Sequence, residues 1–87
     1  MKGLFIINPS SGKQNIDSML REIMATLILD QICSHVDVFY TKGKDDAKNR
    51  AAELKPGDYD FIVSVGGDGT LNEVTNGLIL SESNIPM

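Results

Sequence analysis

The spacing of apolar residues changes repeatedly along this chain, and each change predicts an element. Residues 3–8, Gly-Leu-Phe-Ile-Ile-Asn, are a nearly continuous apolar run of β formers stopped by Pro9. That predicts a strand buried on both faces, as in parallel sheets. From Ile16 the apolar positions fall at Ile16, Met19, Leu20, Ile23, Met24, Leu27 and Ile28, the three-and-four spacing of a helix with one buried stripe. His35-Val36-Asp37-Val38-Phe39-Tyr40 alternates and predicts a second strand nearer the sheet edge, followed at once by Thr41. Ala47, Ala51 and Leu54 mark a thin apolar face on a helix from about Asp45 to Lys55, closed by Pro56-Gly57. Tyr59 to Val65 reads as the third strand. Thr70 and Glu73 make a capping box at the head of a third helix whose inward face is Leu71, Val74 and Leu78.

The resulting order, β-α-β-α-β-α, implies right-handed crossovers and an α/β three-layer sandwich around a parallel sheet, a Rossmann-like arrangement. Ligands of such sheets collect beyond the carboxyl ends of the strands. Asn8-Pro9-Ser10-Ser11-Gly12, Thr41-Lys42-Gly43 and Gly66-Gly67-Asp68-Gly69-Thr70 all follow strands, so these polar loops are expected to converge on one edge. Asn84-Ile85-Pro86-Met87 looks like the approach to a fourth strand that is not completed, which is the expectation for a truncated piece of a larger protein. A sheet cut there leaves an edge and one side of the third helix uncovered, so self-association of the piece is expected.

Composition narrows the function classes. With 87 residues the chain is one small domain with a thin core, burying about 60–65% of its unfolded surface. The net charge is −4, and Lys13, Lys42, Lys44, Lys48 and Arg50 are interleaved with Asp45, Asp46 and Glu53, so there is no basic footprint for nucleic acid. No run approaches the roughly 20 apolar residues of a membrane span, and the N-terminus does not read as a signal peptide, so a cytoplasmic location is expected. Cys33 has no second cysteine and reads as a small hydrophobe. His35 has no cysteine or carboxylate at metal-ligand spacing and reads as the start of a strand. Asp58 and Asp60 read as turn residues leading into the third strand.

The chemistry concentrates in Gly66-Gly67-Asp68-Gly69-Thr70-Leu71-Asn72-Glu73. Glycines at a strand-to-helix turn let backbone come close to a ligand, and the N–H groups of the helix start suit phosphate. Asp68 beside a polyanion is repulsive unless a divalent cation bridges them or a reacting hydroxyl gives it a proton. A Walker loop is ruled out, because Ile7 stands where its first glycine is required and Gln14 follows Lys13. The dinucleotide fingerprint fails at Asn72, where glycine or alanine is needed. Asn8 can cap a turn before Pro9 or contact a nucleotide, Lys13 can reach a phosphate or stay solvated, and Glu73 can serve both the cap and the nucleotide loop.

Taken together, Asn8-Pro9-Ser10-Ser11-Gly12, Thr41 and the stretch from Gly66 through Asn76-Gly77-Leu78 resemble the N-terminal part of the diacylglycerol kinase catalytic domain family, which includes bacterial lipid kinases and sphingosine kinases. The glycine-aspartate motif is shared in shorter form with NAD kinases, so the fold implied is NAD kinase-like. The resemblance implies that residues 1–87 are the N-terminal nucleotide-binding part of such a domain. Gly66, Gly67, Asp68, Gly69 and Thr70 would surround the phosphates of ATP, with Asn8, Ser11 and Thr41 helping to hold the nucleotide. Asp68 would be the catalytic carboxylate, acting through Mg²⁺ or water. The implied reaction transfers the γ-phosphate of ATP to a hydroxyl of a diacylglycerol-like or sphingoid lipid. The lipid, a base and further metal contacts would belong to a second, mainly β domain absent here, so the piece alone would be inactive. Membrane contact would be peripheral, at the inner face, and only in the intact protein. An NAD-kinase-like phosphotransferase and a non-catalytic nucleotide-binding module are the alternatives.

Overall fold

A computed structural model describes residues 1–9, 18, 20–23, 25–26 and 34–87. Strands β1 (Lys2–Ile7), β2 (His35–Tyr40) and β3 (Phe61–Val65) form one parallel sheet in the order β2-β1-β3. Gly3 lies beside Val36 and Phe61, and Ile7 beside Tyr40 and Val65. β1 is therefore central, which explains its unbroken apolar run: Leu4, Phe5, Ile6 and Ile7 are at most 1% exposed. Alternation along the strand divides them. Leu4 and Ile6 join Ala47, Ala51, Leu54, Ile62, Val74 and Ile85 on one face, while Phe5 and Ile7 meet Leu20 on the other. Each large side chain so buried contributes about 1.5–3 kcal/mol.

Helices α1 (Asp46–Ala52) and α2 (Asp68–Ser81) cover the first face and pack on each other. Gly77 permits that close crossing, since a Cβ there would sit 2.6 Å from the Cβ of Ala51 and 3.1 Å from the backbone N of Ala52. Leu20 lies among the helical residues 18, 20–23 and 25–26, so helical layers stand on both sides of the sheet, as the three-layer reading expects. Ile23, expected in the buried stripe of that helix, is 36% exposed. The other stripe positions Ile16, Met19, Met24, Leu27 and Ile28, and also Ser10, Gly12, Lys13 and Cys33, lie outside the described residues.

The head of α2 corrects the sequence reading. The helix begins at Asp68 with Gly67 as N-cap and no side-chain cap, so Thr70 and Glu73 do not form a capping box. Thr70 is already in the first turn, its N–H donating to the Gly67 carbonyl at 3.1 Å. The inward face is Thr70, Val74 and Gly77, with Leu78 partly buried against the same core as expected, while Leu71 is 46% exposed. Two boundaries also move inward: α1 ends at Ala52 with Leu54 still buried beyond it, and β3 starts at Phe61, after the Asp60 N–H has bonded to the Lys2 carbonyl at 2.7 Å. At the far side of the sheet the Ile62 N–H donates to the Pro86 carbonyl at 2.9 Å and Ile85 is buried, so the last residues lie beside β3.

Candidate functional site

Two backbone bonds join the loops at the carboxyl edge. The Asn8 N–H donates to the Val65 carbonyl, and the Thr41 N–H to the Ile7 carbonyl, both at 2.8 Å. Asn8, Thr41 and the glycine turn thus leave neighbouring strands at one level. Gly66 has φ +152°, and a Cβ there would lie 2.6 Å from Thr70 Oγ1 and 3.1 Å from the Asn8 Cβ. Only glycine fits this corner, for reasons of conformation and space.

Two clefts lie along the head of α2. One, of about 570 Å³, is lined by Asn8, Pro9, Thr41, Lys42, Gly43, Lys44 and Glu73. The second, of about 560 Å³, is lined by Asp68, Gly69, Leu71, Asn72 and Thr75. Helix α2 is their shared wall, with Glu73 in the first and Asp68 in the second. Asn8 and Thr41 therefore share a cleft, and Asp68 and Gly69 share the other. Thr70, 5% exposed, sits beneath the turn, and Ser11 lies outside the described residues.

Three features suit a ligand with both acceptors and donors. The N-terminus of α2 has no side-chain cap, which leaves first-turn N–H groups for an outside acceptor. A Cβ at Gly67 or Gly69 would meet nothing within 4 Å, so space lies directly over that backbone. Glu73 Oε1 is buried without a hydrogen-bond partner among the described residues, an acceptor set in the wall of the first cleft. Among the described residues no group of three or more His, Cys, Asp or Glu could hold a metal ion alone, so a cation at Asp68 needs the ligand's own oxygens and water.

A second polar cluster occupies the opposite end of the sheet. Asp37 accepts from Tyr59 through Oδ2 and meets His35 Nε2 through Oδ1 at 2.7 Å. The sequence reading, which found no carboxylate at metal-ligand spacing from His35, missed this pair two residues apart on one face of β2. The Tyr59 hydroxyl bond holds the Asp37 carboxyl below the usual carboxylate range, opposed by desolvation and aided by His35 and Arg50. Burial, then the Asp37 bond and charge, push the Tyr59 hydroxyl above its ordinary value. Arg50 also lies over the Phe39 ring, 5.8 Å from its centroid. Asp58 and Asp60 behave as expected, their carboxylates accepting the N–H groups of Lys55 at 2.9 Å and Lys2 at 2.6 Å.

Residues 2–87 match the family described as the diacylglycerol kinase catalytic domain. The chain belongs to that family. It is 37% identical over 73 residues to a diacylglycerol kinase of Staphylococcus haemolyticus, covering 84% of this chain and 22% of the relative. It is 41% identical over 75 residues to sphingoid long chain base kinase 4 of Schizosaccharomyces pombe, covering 86% and 16%. A crystal structure of a diacylglycerol kinase from Bacillus anthracis superposes with a TM-score of 0.70 at 33% identity, over 87% of this chain and 27% of that one. The chain thus spans less than a third of the length of these relatives. No described helix of this family member is long and apolar enough to cross a membrane.

Proposed function

We propose that this chain is the nucleotide-binding part of an ATP-dependent lipid kinase, which transfers the γ-phosphate of ATP to a hydroxyl of a diacylglycerol-like or sphingoid lipid. The observation that carries the reading is the corner where Asn8, Gly66 and Thr70 meet, tied by the Asn8 bond to Val65, with Asn8 lining the first cleft. In this reading the phosphates lie over Gly67 and Gly69 at the uncapped start of α2, where backbone N–H groups and the helix dipole favour negative charge. The nucleoside end lies in the cleft of Asn8 and Thr41, where the buried Glu73 oxygen accepts a hydrogen bond from a hydroxyl or amine.

Asp68, exposed on the first turn, fits Mg²⁺ as one carboxylate alongside phosphate oxygens and water. Bound Mg²⁺ supplies charge neutralisation on the transferring phosphate. The chain's own contribution is positioning: the Gly66 corner orients the turn, the α2 N–H groups hold phosphate oxygens, and Asp68 sets the cation side of the site. The lipid, the base acting on its hydroxyl and further metal contacts are assigned to a mainly β domain of the intact protein, which works in the cytoplasm with peripheral contact at the inner membrane face. The 87-residue chain alone is therefore expected to lack lipid kinase activity. Labelled ATP offered to the full-length protein with lipid micelles or with NAD tests the reading. Label in the lipid extract supports it, while label in NADP alone favours an NAD-kinase-like activity and overturns it.

A further inference from the structure

The loop between β2 and α1 forms one wall of the first cleft through Thr41, Lys42, Gly43 and Lys44. Its shape depends on a residue that does not line the cleft. Asp46 Oδ2 accepts the N–H groups of both Lys42, at 2.6 Å, and Gly43, at 3.0 Å, and the Asp46 N–H returns a longer bond to the Gly43 carbonyl at 3.4 Å. Asp45, between them and the helix, reverses the chain in the left-handed region at φ 67°, a conformation aspartate tolerates better than most residues. The other end of the loop is held by the Thr41 bond to Ile7. One carboxylate oxygen thus draws two successive amides toward α1. A charged acceptor makes such bonds roughly twice as strong as neutral ones.

This arrangement takes the Thr41, Lys42 and Gly43 amides away from a ligand. What this loop offers the cleft includes the Thr41 side chain and the two lysines, placed where the clamp sets them. We infer that Asp46 is a positioning residue for the nucleotide cleft, holding the Thr41–Lys44 wall in its binding shape without touching the ligand. The inference rests on the proposed nucleotide reading.

Asp58 provides a matched control, since its carboxylate clamps the Lys55 N–H in a turn at the opposite end of the sheet. ATP titration by calorimetry, with amide hydrogen exchange and thermal melting, is run on the unsubstituted full-length protein, Asp46→Ala, Asp46→Asn and Asp58→Ala. Asp46→Ala is expected to lose exchange protection at Lys42 and Gly43 and to weaken ATP binding about tenfold, misplacement of a wall being enough for such a loss. Asp46→Asn, which keeps an acceptor oxygen, is expected to fall between and serves if the alanine variant does not fold. Asp58→Ala is expected to bind ATP normally whatever its melting temperature. Lost protection at Lys42 and Gly43 with unchanged ATP affinity overturns the inference, and so does an equal loss in Asp58→Ala, which would mark a stability effect only. If the unsubstituted protein binds no ATP, the nucleotide reading falls with it.

Discussion

At the scale of single residues, the glycines of the Gly66–Thr70 turn do different work. Gly66 is required by the fold, because its φ is +152° and a Cβ would press on Thr70 Oγ1. Gly69 is not, because its Cβ would stand in open space. Gly66→Ala should therefore lower the melting temperature, whereas Gly69→Ala should melt normally and weaken ATP binding, its methyl group occupying the space a phosphate needs. Thermal melts paired with ATP titrations separate the two, and a normal melt in Gly66→Ala would contradict the corner. Asp68 is exposed and holds up no core, so Asp68→Asn should keep the fold while lipid phosphorylation by the intact enzyme falls by about 10²-fold or more, about 2.7 kcal/mol of transition-state stabilisation. Full activity in that variant would remove Asp68 from the mechanism. These roles are not separable in the sequence, where three glycines around one aspartate look alike. Asn8, Thr41 and Asp68 were legible as loop residues following strands, but their division between two clefts depends on which side of α2 each one meets.

At the scale of elements, the crossing of α1 and α2 is close. A methyl group at Gly77 would collide with the Lys48 carbonyl and crowd Ala51 and Ala52. Gly77→Ala should destabilise the protein by about 1–3 kcal/mol despite alanine's better helix propensity, because the crowding is against backbone. A melting temperature equal to or above that of the unsubstituted chain would show that the helices separate at little cost. The same crossing explains why Thr70 and Gly77 join Val74 and Leu78 on the inward face of α2 while Leu71 does not. Leu71, Val74 and Leu78 have the right helical spacing, yet Thr70 and Gly77 are the buried neighbours of Val74, since a close crossing favours small residues. Periodicity weights large apolar side chains, so it turns such a helix toward its leucines. The strands suffered no comparable error. An alternating or continuous apolar pattern sets which faces of a strand are covered, and β1 and β2 matched to within a residue.

For the molecule as a whole, the two ends of the sheet carry different chemistry, the glycine corner at one and the Asp37 cluster at the other. The Asp37 carboxyl titrates low in the folded state, so its contribution is present above its ordinary value of 3.8 and is lost as pH falls through the lowered one. Tyr59 titrates high, so its contribution is complete below 10.0 and is lost as pH rises through the raised value. The stability advantage over Tyr59→Phe in urea titrations should then be level from about pH 5 to 9 and narrow at both ends. A gap that changes through neutrality would contradict this assignment. Ile79 and Leu80, 69% and 63% exposed, stand outside the core with Met87 at 51%. The 87-residue chain is accordingly expected to self-associate, and a monomeric mass by light scattering at high concentration would count against this. The sequence by itself determined the parallel α/β architecture, the order of elements and the edge where polar loops gather, because these follow from local periodicity and from strand-to-loop punctuation. Only the tertiary structure decided where α2 begins, which face it buries, how Asp46 shapes a wall it does not line, and that Asp37 joins Tyr59 across 22 positions. Each of those depends on groups distant along the chain or on backbone bonds whose partners no spacing rule names.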